Sequence, residues 1–438
     1  MRNWILSLGL LAAAQPAVAA LSPADRTMIA TVDAERERTV AMLGKWVETN
    51  SGTMNPEGVT RVGAMLRSEL EPLGFAVEWI DLAAVKRGGH IVARHRGKAS
   101  GQRLLLIGHL DTVFERDNPF QHWRRDGDTG FGPGAGDDKG GMAVIIAALR
   151  AMDRAGTLKN ANITVFLTGD EEDAGDPLTI SRRDLIAEGR KADAALDFEG
   201  LASDNGLDVG SIARRSAGGW TVRITGKSGH SSGVGVSAGF GANYELARIV
   251  DAFRRDLPEP SLTYNVGVMG GGELLTADPD KTSLETSGKS NIIAAVAFAK
   301  GDLRALTPDQ LDRTKAKMRA IVGQHLPGTS AEIVFADDYY PPMPPTAGNR
   351  ALLAWLNSVN ADLGLAAMGE LDPAKRGAGD ISFVAADVDG LIGLGGDSAG
   401  DHTPAESVDL PSIFKQAKRA AILMSRLAAE KRGPSRRK

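Results

Sequence analysis

At 438 residues the chain exceeds one simple core, and two domains are expected. A formal net charge of -4, with no basic stripe in the body of the chain, argues against a nucleic-acid-binding role. Cysteine is absent, so neither disulfides nor thiolate ligands are available and any metal must be held by His, Asp and Glu.

The N-terminus combines Arg2, an apolar run over residues 4–14 and small residues up to Ala20. This is the layout of a secretory signal peptide over residues 1–20, cleaved after Ala19 or Ala20, and it predicts a periplasmic or secreted protein. The run is too short to span a bilayer and no later one reaches about 18 apolar residues, so the mature form is expected off the membrane. At the other end, residues 432–438 read as a basic tail.

Helical periodicity covers residues 30–47 and 58–73, and residues 75–80 and 90–95 alternate as strands. His90 and His95 lack carboxylate neighbours and read as structural or exposed. Next comes Leu104-Leu105-Leu106-Ile107-Gly108-His109-Leu110-Asp111. Four apolar residues in a row predict a strand buried on both faces, as in a parallel sheet. It ends in His109 and Asp111, two apart and therefore on one face of extended chain. A carboxylate beside an imidazole is the pairing that fixes the tautomer of a metal-bound histidine. Ligands of open α/β sheets sit at this end of the strands.

A glycine-rich loop over residues 130–141 leads into a helix predicted at 142–152. It lacks the Gly-x-x-x-x-Gly-Lys-Ser/Thr phosphate pattern, and Asp137 and Asp138 would repel phosphate. The glycines read instead as backbone freedom that lets Asp137 reach a cation. A strand at 162–168 ends in Asp170-Glu171-Glu172, where adjacent side chains point opposite ways and divide their roles. A short strand at 192–198 is followed by Glu199.

After about Arg215 the pattern changes. Residues 220–226 alternate as a half-exposed antiparallel strand, followed by a helix at 239–256, strands at 262–269 and 292–298, a helix at 308–325 and a strand at 331–336. This β-α-β-β-α-β order predicts an inserted α+β domain over residues 216–336. Beyond Pro341-Pro342-Met343-Pro344-Pro345 the first pattern returns: a helix at 352–363, a buried strand at 390–394, a loop carrying His402, and a helix at 410–431. The expected fold class is therefore α/β and two-domain. A mixed, mainly parallel sheet flanked by helices comes from residues 21–215 and 337–431, interrupted by the insertion.

His109, Asp137, Glu172, Glu199 and His402 all follow apolar strands of one presumed sheet. Two histidines and three carboxylates make two four- or five-coordinate sites if one carboxylate bridges. A pair of metal ions about 3.5–4 Å apart is the clamp used by hydrolases. Glu171, next to Glu172 but turned the other way, suits a general base.

Gly-His-Leu-Asp-Thr-Val at 108–113, Asp137-Asp138-Lys139-Gly140-Gly141, Asp170-Glu171-Glu172 and the late His402 resemble, in order, the di-zinc aminoacylase/carboxypeptidase family. That family includes glutamate carboxypeptidase, succinyl-diaminopimelate desuccinylase and acetylornithine deacetylase. The resemblance spans nearly the whole mature chain and implies two Zn2+ per chain. Asp137 would bridge them, with His109 and Glu199 at one ion and Glu172 and His402 at the other. It further implies that Asp111 orients His109, that Glu171 is the general base for a metal-bridging water, and that a cis peptide follows Asp137. The insertion matches a lid through which members usually form homodimers. In Gly226-Lys227-Ser228-Gly229-His230, His230 matches the histidine that reaches substrate, often in the partner's site, and stabilises the oxyanion. Asn291 and Arg304 match positions that contact a substrate carboxylate.

The implied activity is carboxypeptidase-like cleavage of an amide next to a free carboxylate, in small peptides or N-acyl amino acids. A deacylase of the acetylornithine or succinyl-diaminopimelate type is the alternative. A tripeptide aminopeptidase would need an acidic pocket for an α-amino group, which the sequence does not display. A binding protein on the same scaffold would have lost Glu171 or a ligand, and all of them are present. The departures from the family pattern are Asp138, expected to be solvated or to alter the charge near the metals, and Gly377-Ala378-Gly379-Asp380. A third is Asp337-Asp338-Tyr339-Tyr340, where glutamate-specific members tend to carry a basic residue. That leaves Arg304 or Arg376 to hold the carboxylate.

Overall fold

The computed structural model describes residues 21–278, 283–336 and 339–432. The expected signal segment, the tail beyond Arg432 and Asp337-Asp338 lie outside the described residues.

The larger sheet runs in the order Ala76–Asp81, Gly89–His95, Asn162–Thr168, Arg103–His109, Ala194–Asp197, Gly390–Ile392. Its first two pairings are antiparallel and the remaining three parallel. Leu104 and Leu106 pack on one face with the helices Lys139–Arg154 and Leu410–Ala429. Leu105 and Ile107 pack on the other with Phe166, Ile381 and Val384. Both faces are covered, which is why the run of apolar residues is uninterrupted. Each such side chain contributes about 1.5–3 kcal/mol on burial.

Parallel pairing brings the carboxyl ends of Arg103–His109, Asn162–Thr168 and Ala194–Asp197 to one edge. His109, the turn at 170–172 and Glu199 therefore leave the sheet side by side.

The helical pattern at 30–47 is divided between Pro23–Ala34 and Arg36–Val47, with Glu35 at φ -101 between them. Glu35 leaves the helical track where its carboxylate accepts two hydrogen bonds from Arg150 of the facing helix, at 2.6 and 2.8 Å. The first helix opens on a capping box between Ser22 and Asp25.

The inserted sheet is antiparallel, ordered Thr263–Tyr264, Val296–Arg304, Gly218–Gly226, Thr329–Phe335, with Val268–Gly272 also on Val296–Arg304. It has its own core, in which Trp220, Val222 and Ile224 meet Ile249 and Phe253 of the helix Ala242–Asp256 and Met318 of the helix Pro308–Val322. The first of these helices starts later than its periodicity predicts, because Gly239 and Gly241 take φ of 75 and 79. The run at 262–269 is split into two short strands, and the strand expected from 292 begins at Val296. A hairpin, Leu274–Ala277 with Leu284–Ser287, has no counterpart in the sequence pattern; strands of 4 residues are too short for alternation to register. Among the described residues no helix is long and apolar enough to cross a membrane.

Candidate metal centre

Asp137 stands at the end of the glycine-rich loop, just before the helix Lys139–Arg154. Its two carboxylate oxygens face different histidines: Oδ1 lies 2.9 Å from His109 Nε2, and Oδ2 lies 3.2 Å from His402 Nε2. His402 Nε2 is also 3.2 Å from Glu172 Oε2. Ligand atoms of His109, Asp137 and Glu172 all fall within 4.8 Å of one another. Glu172 Oε1 is buried with no hydrogen-bond partner among the described residues. Glu406, four residues after His402, braces the loop: its Oε1 accepts the N–H of Gly136 at 3.0 Å and of Asp137 at 3.2 Å.

Behind His109 the contacts differ in detail from the expected pairing of side chains. Nδ1 lies 3.1 Å from the backbone carbonyl of Asp111 and 3.4 Å from its carboxylate. That carboxylate accepts the N–H of Glu171 at 3.0 Å, the N–H of Glu172 at 3.1 Å and the hydroxyl of Thr53 at 2.6 Å. With Nδ1–H donated backwards, the Nε2 lone pair faces Asp137.

The imidazoles and carboxylates of the cleft lie close enough to shift one another. Asp137 and then Glu172 push His402 up to about 11. His109 is raised against a large opposing effect of burial, by Asp111 and then Asp137. Burial pushes Glu171 up, and Glu199 adds to it; burial also raises Glu172. Buried carboxylates in excess over imidazoles, with an unpartnered Glu172 oxygen among them, call for a cation. A donor set of imidazole nitrogens and carboxylate oxygens without sulfur fits zinc. The residues present therefore suit a metal centre.

Glu199 lines the same cleft, of about 430 Å3, with Asp137, Glu171, Glu172, Arg214, Arg376 and His402. Its carboxylate is held by the Arg214 guanidinium and lies 3.6 Å from Arg376, so it stands apart from the tight His109–Asp137–Glu172 group. A larger groove of about 530 Å3, floored by Phe414 and rimmed by Lys415 and Lys418, contains none of these residues.

The peptide between Asp137 and Asp138 is cis. Asp138 is not solvated, as one reading of the sequence has it, but 0% exposed. Its Oδ2 accepts the N–H of His109 at 3.2 Å, and its carboxylate fills the space that a Cβ would occupy at Gly108 or Gly141. Burial pushes its carboxyl well above the usual range.

His230, Asn291 and Arg304 do not line the cleft of their own chain. His230 and Asn291 are exposed neighbours on the inserted domain, joined by a bond from Ser231 N–H to the Asn291 carbonyl at 2.9 Å. Arg304 donates through Nε to Asp302 at 2.9 Å.

Beneath the cleft lies a network that sequence reasoning did not find. Arg182, fully buried, pairs with Asp170 at 2.5 Å and Asp380 at 2.8 Å, and Asp380 also accepts from Thr168 at 2.5 Å. Tyr340 donates to the Glu171 backbone carbonyl at 2.7 Å.

A sequence model of peptidase family M20/M25/M40 matches residues 105–426. Carboxypeptidase G2 of Pseudomonas sp. (strain RS-16) is 29% identical over 421 residues, 93% of either chain. Succinyl-diaminopimelate desuccinylase of Acidiphilium cryptum is 29% identical over 300 residues, 66% of this chain and 73% of its own. Among solved structures, a tripeptidase from Staphylococcus aureus matches with a TM-score of 0.70 at 19% identity, over 90% of this chain and 99% of its own. A dinuclear metal-binding peptidase of the M20 family from Bacillus subtilis matches with a TM-score of 0.62 at 16% identity, over 90% and 99%. The fold is that of these solved M20 peptidases, a helix-flanked sheet with an inserted α+β domain. The family match takes in the parallel part of the sheet from residue 105, the inserted domain and every residue of the carboxylate–histidine cluster; the chain belongs to peptidase family M20/M25/M40 and is a metal-dependent peptidase or amidohydrolase.

Proposed function

We propose that the chain is an exported di-zinc hydrolase that cleaves the amide of small peptides or N-acyl amino acids next to a free carboxylate. The observation that carries this reading is the division of the Asp137 carboxylate, one oxygen toward His109 and the other toward His402. Asp137 would bridge two Zn2+, with His109 and Glu199 at one and Glu172 and His402 at the other. When bound, such a pair polarises the scissile carbonyl and acidifies water. Glu171, in the wall of the same cleft, takes the proton from the attacking water and delivers it to the leaving amine. Asp111 holds His109 in the tautomer that presents Nε2.

Carboxypeptidase G2 and the desuccinylase are relatives whose names describe amide cleavage of carboxylate-bearing substrates. Within the cleft, Arg376 donates through Nη2 to the Gly200 carbonyl at 2.7 Å and keeps a buried Nε without a partner among the described residues, whereas Arg304 lies outside the cleft and is engaged by Asp302. We therefore place the substrate carboxylate at Arg376, with Asn291 and Arg304 reaching substrate only when the inserted domain closes or a partner copy supplies them. Exposed Val236, Tyr244, Met269 and Leu274 on the inserted domain support a homodimer through that domain. His230 would then serve the oxyanion from across the dimer. The N-terminal pattern supports export to the periplasm or beyond, and N-terminal sequencing of the mature protein tests it.

The deciding experiment is hydrolysis of a panel of C-terminal Glu dipeptides, other dipeptides, and N-acetyl and N-succinyl amino acids, with and without chelator. Chelator-sensitive cleavage of dipeptides supports the carboxypeptidase reading. Cleavage of acyl amino acids alone moves the enzyme to the deacylase branch.

A further inference from the structure

The chain crosses between the larger sheet and the inserted domain twice, and the two crossing segments pair with each other. Arg214 N–H donates to the Met343 carbonyl at 3.0 Å and Met343 returns the bond at 2.9 Å. Ala217 N–H donates to Tyr340 at 3.1 Å and Tyr340 returns it at 2.9 Å. The outgoing segment sends Arg214 into the cleft, and the returning segment sends Tyr340 against the turn that carries Glu171.

From the outgoing segment, Arg214 holds the Glu199 carboxylate through Nη2 and anchors Nη1 on the carbonyls of Ala378 at 2.5 Å and Gly377 at 3.1 Å. From the returning segment, the Tyr340 hydroxyl donates to the Glu171 carbonyl at 2.7 Å, and its ring packs 4.9 Å from that of Phe383. On the other side of the same turn, Asp111 accepts the N–H groups of Glu171 and Glu172. Glu171 is thus gripped on both of its peptide groups. One grip comes from the sheet and the other from the segment that leads to the inserted domain.

We propose that Tyr340 and Arg214 are positioning residues, through which the paired crossing segments couple the placement of the inserted domain to Glu171 and Glu199. This rests on the reading of Glu171 as base and Glu199 as metal ligand. Neither Tyr340 nor Arg214 touches the reacting atoms. The four backbone bonds make the two segments move as one, so a shift of the inserted domain pulls on the Glu171 carbonyl and the Glu199 carboxylate together. Misplacement of a catalytic group by about 1 Å costs up to about 100-fold in rate.

The test uses the full-length mature enzyme. Tyr340→Phe removes the hydroxyl and keeps the ring against Phe383; kcat is expected to fall about tenfold while KM and metal content stay at wild-type values and the protein remains folded at the assay temperature. Arg214→Lys keeps the charge and loses the fork, and metal titration is expected to show about tenfold weaker binding of one ion. Wild-type kcat in Tyr340→Phe, or a loss no larger than its loss of folded protein, overturns the coupling. So does unchanged metal affinity in Arg214→Lys. Glu171→Gln run in parallel separates this from the reading beneath it. If Glu171→Gln is inactive while Tyr340→Phe turns over normally, only the coupling is wrong. If Glu171→Gln is itself active, the base assignment is wrong and the coupling falls with it.

Discussion

The carboxylate of Asp111 accepts the backbone N–H of Glu171 at 3.0 Å. Its second oxygen takes the N–H of Glu172 at 3.1 Å, and its own carbonyl takes His109 Nδ1 at 3.1 Å. One residue therefore orients a proposed ligand from behind and fixes the turn that carries the proposed base and a second ligand. Asp111→Asn would put an NH2 against one of those N–H groups. We expect a stability loss of about 1–3 kcal/mol for the N–H left unpaired. Metal affinity should fall by about 10–100-fold, read by competition with a chelator.

Glu171→Gln keeps the shape of the turn and removes the proton acceptor. Turnover should fall by about 10²–10⁴-fold with metal content unchanged. Near-normal turnover with full metal would remove Glu171 from the mechanism.

His90 supplies a pH dependence from behind the turn at 169–172, beside the Arg182–Asp170–Asp380 network. It is fully buried, with Nε2 donating to the Ser181 carbonyl at 2.8 Å and Nδ1 accepting from Gly169 N–H at 3.1 Å. Burial, which is the largest effect, holds its pKa below the ordinary 6.5. The unfolded chain therefore binds a proton near pH 6.5 that the folded chain refuses. The stabilisation from a neutral His90 is complete above that pH and is lost as pH falls below it. His90→Asn should flatten the decline of melting temperature between about pH 6.5 and 5 relative to wild type. Parallel slopes in the two proteins would show that His90 does not titrate in this way.

His230 is exposed and outside its own cleft, so its proposed role requires a partner copy. His230→Ala should damage catalysis while leaving metal content intact. Mixing His230→Ala with Glu171→Gln chains should then restore activity, since each mixed dimer holds one complete site, giving roughly a quarter of wild-type activity on random exchange. No recovery on verified subunit exchange would place His230 outside the reaction or within its own chain's site.

What could be read from the sequence was whatever one stretch of chain carries by itself. Leu104 to Ile107 is apolar without a break because both faces of its strand are covered, and polar residues at the ends of such strands stand out locally. His109, Glu172 and Glu199 belong to that class, whereas Asp137 shows through the glycines of its own loop and His402 through its place in the late loop. Arg214, Tyr340, Arg182 and Asp380 do not. Each sits in a segment with no periodic signal, and its partner lies far along the chain, as Tyr340 and Glu171 do at a separation of 169 residues. Asp138 looked exposed because acidic residues in glycine-rich loops usually are. Its burial depends on Gly108 and Gly141 leaving room from two different elements, which only the packed structure discloses. The strand pair of Leu274–Ala277 with Leu284–Ser287 escaped for a related reason, being too short for its pattern to outweigh the surrounding glycines.

Zinc titration of the metal-free mature enzyme, with turnover followed in parallel, decides whether His109, Asp137, Glu172, Glu199 and His402 hold two metal ions. Activity should saturate as about two ions bind per chain, with Asp137→Ala retaining neither. Full activity with fewer than one bound ion, or undiminished two-ion binding by Asp137→Ala, would contradict a two-metal centre.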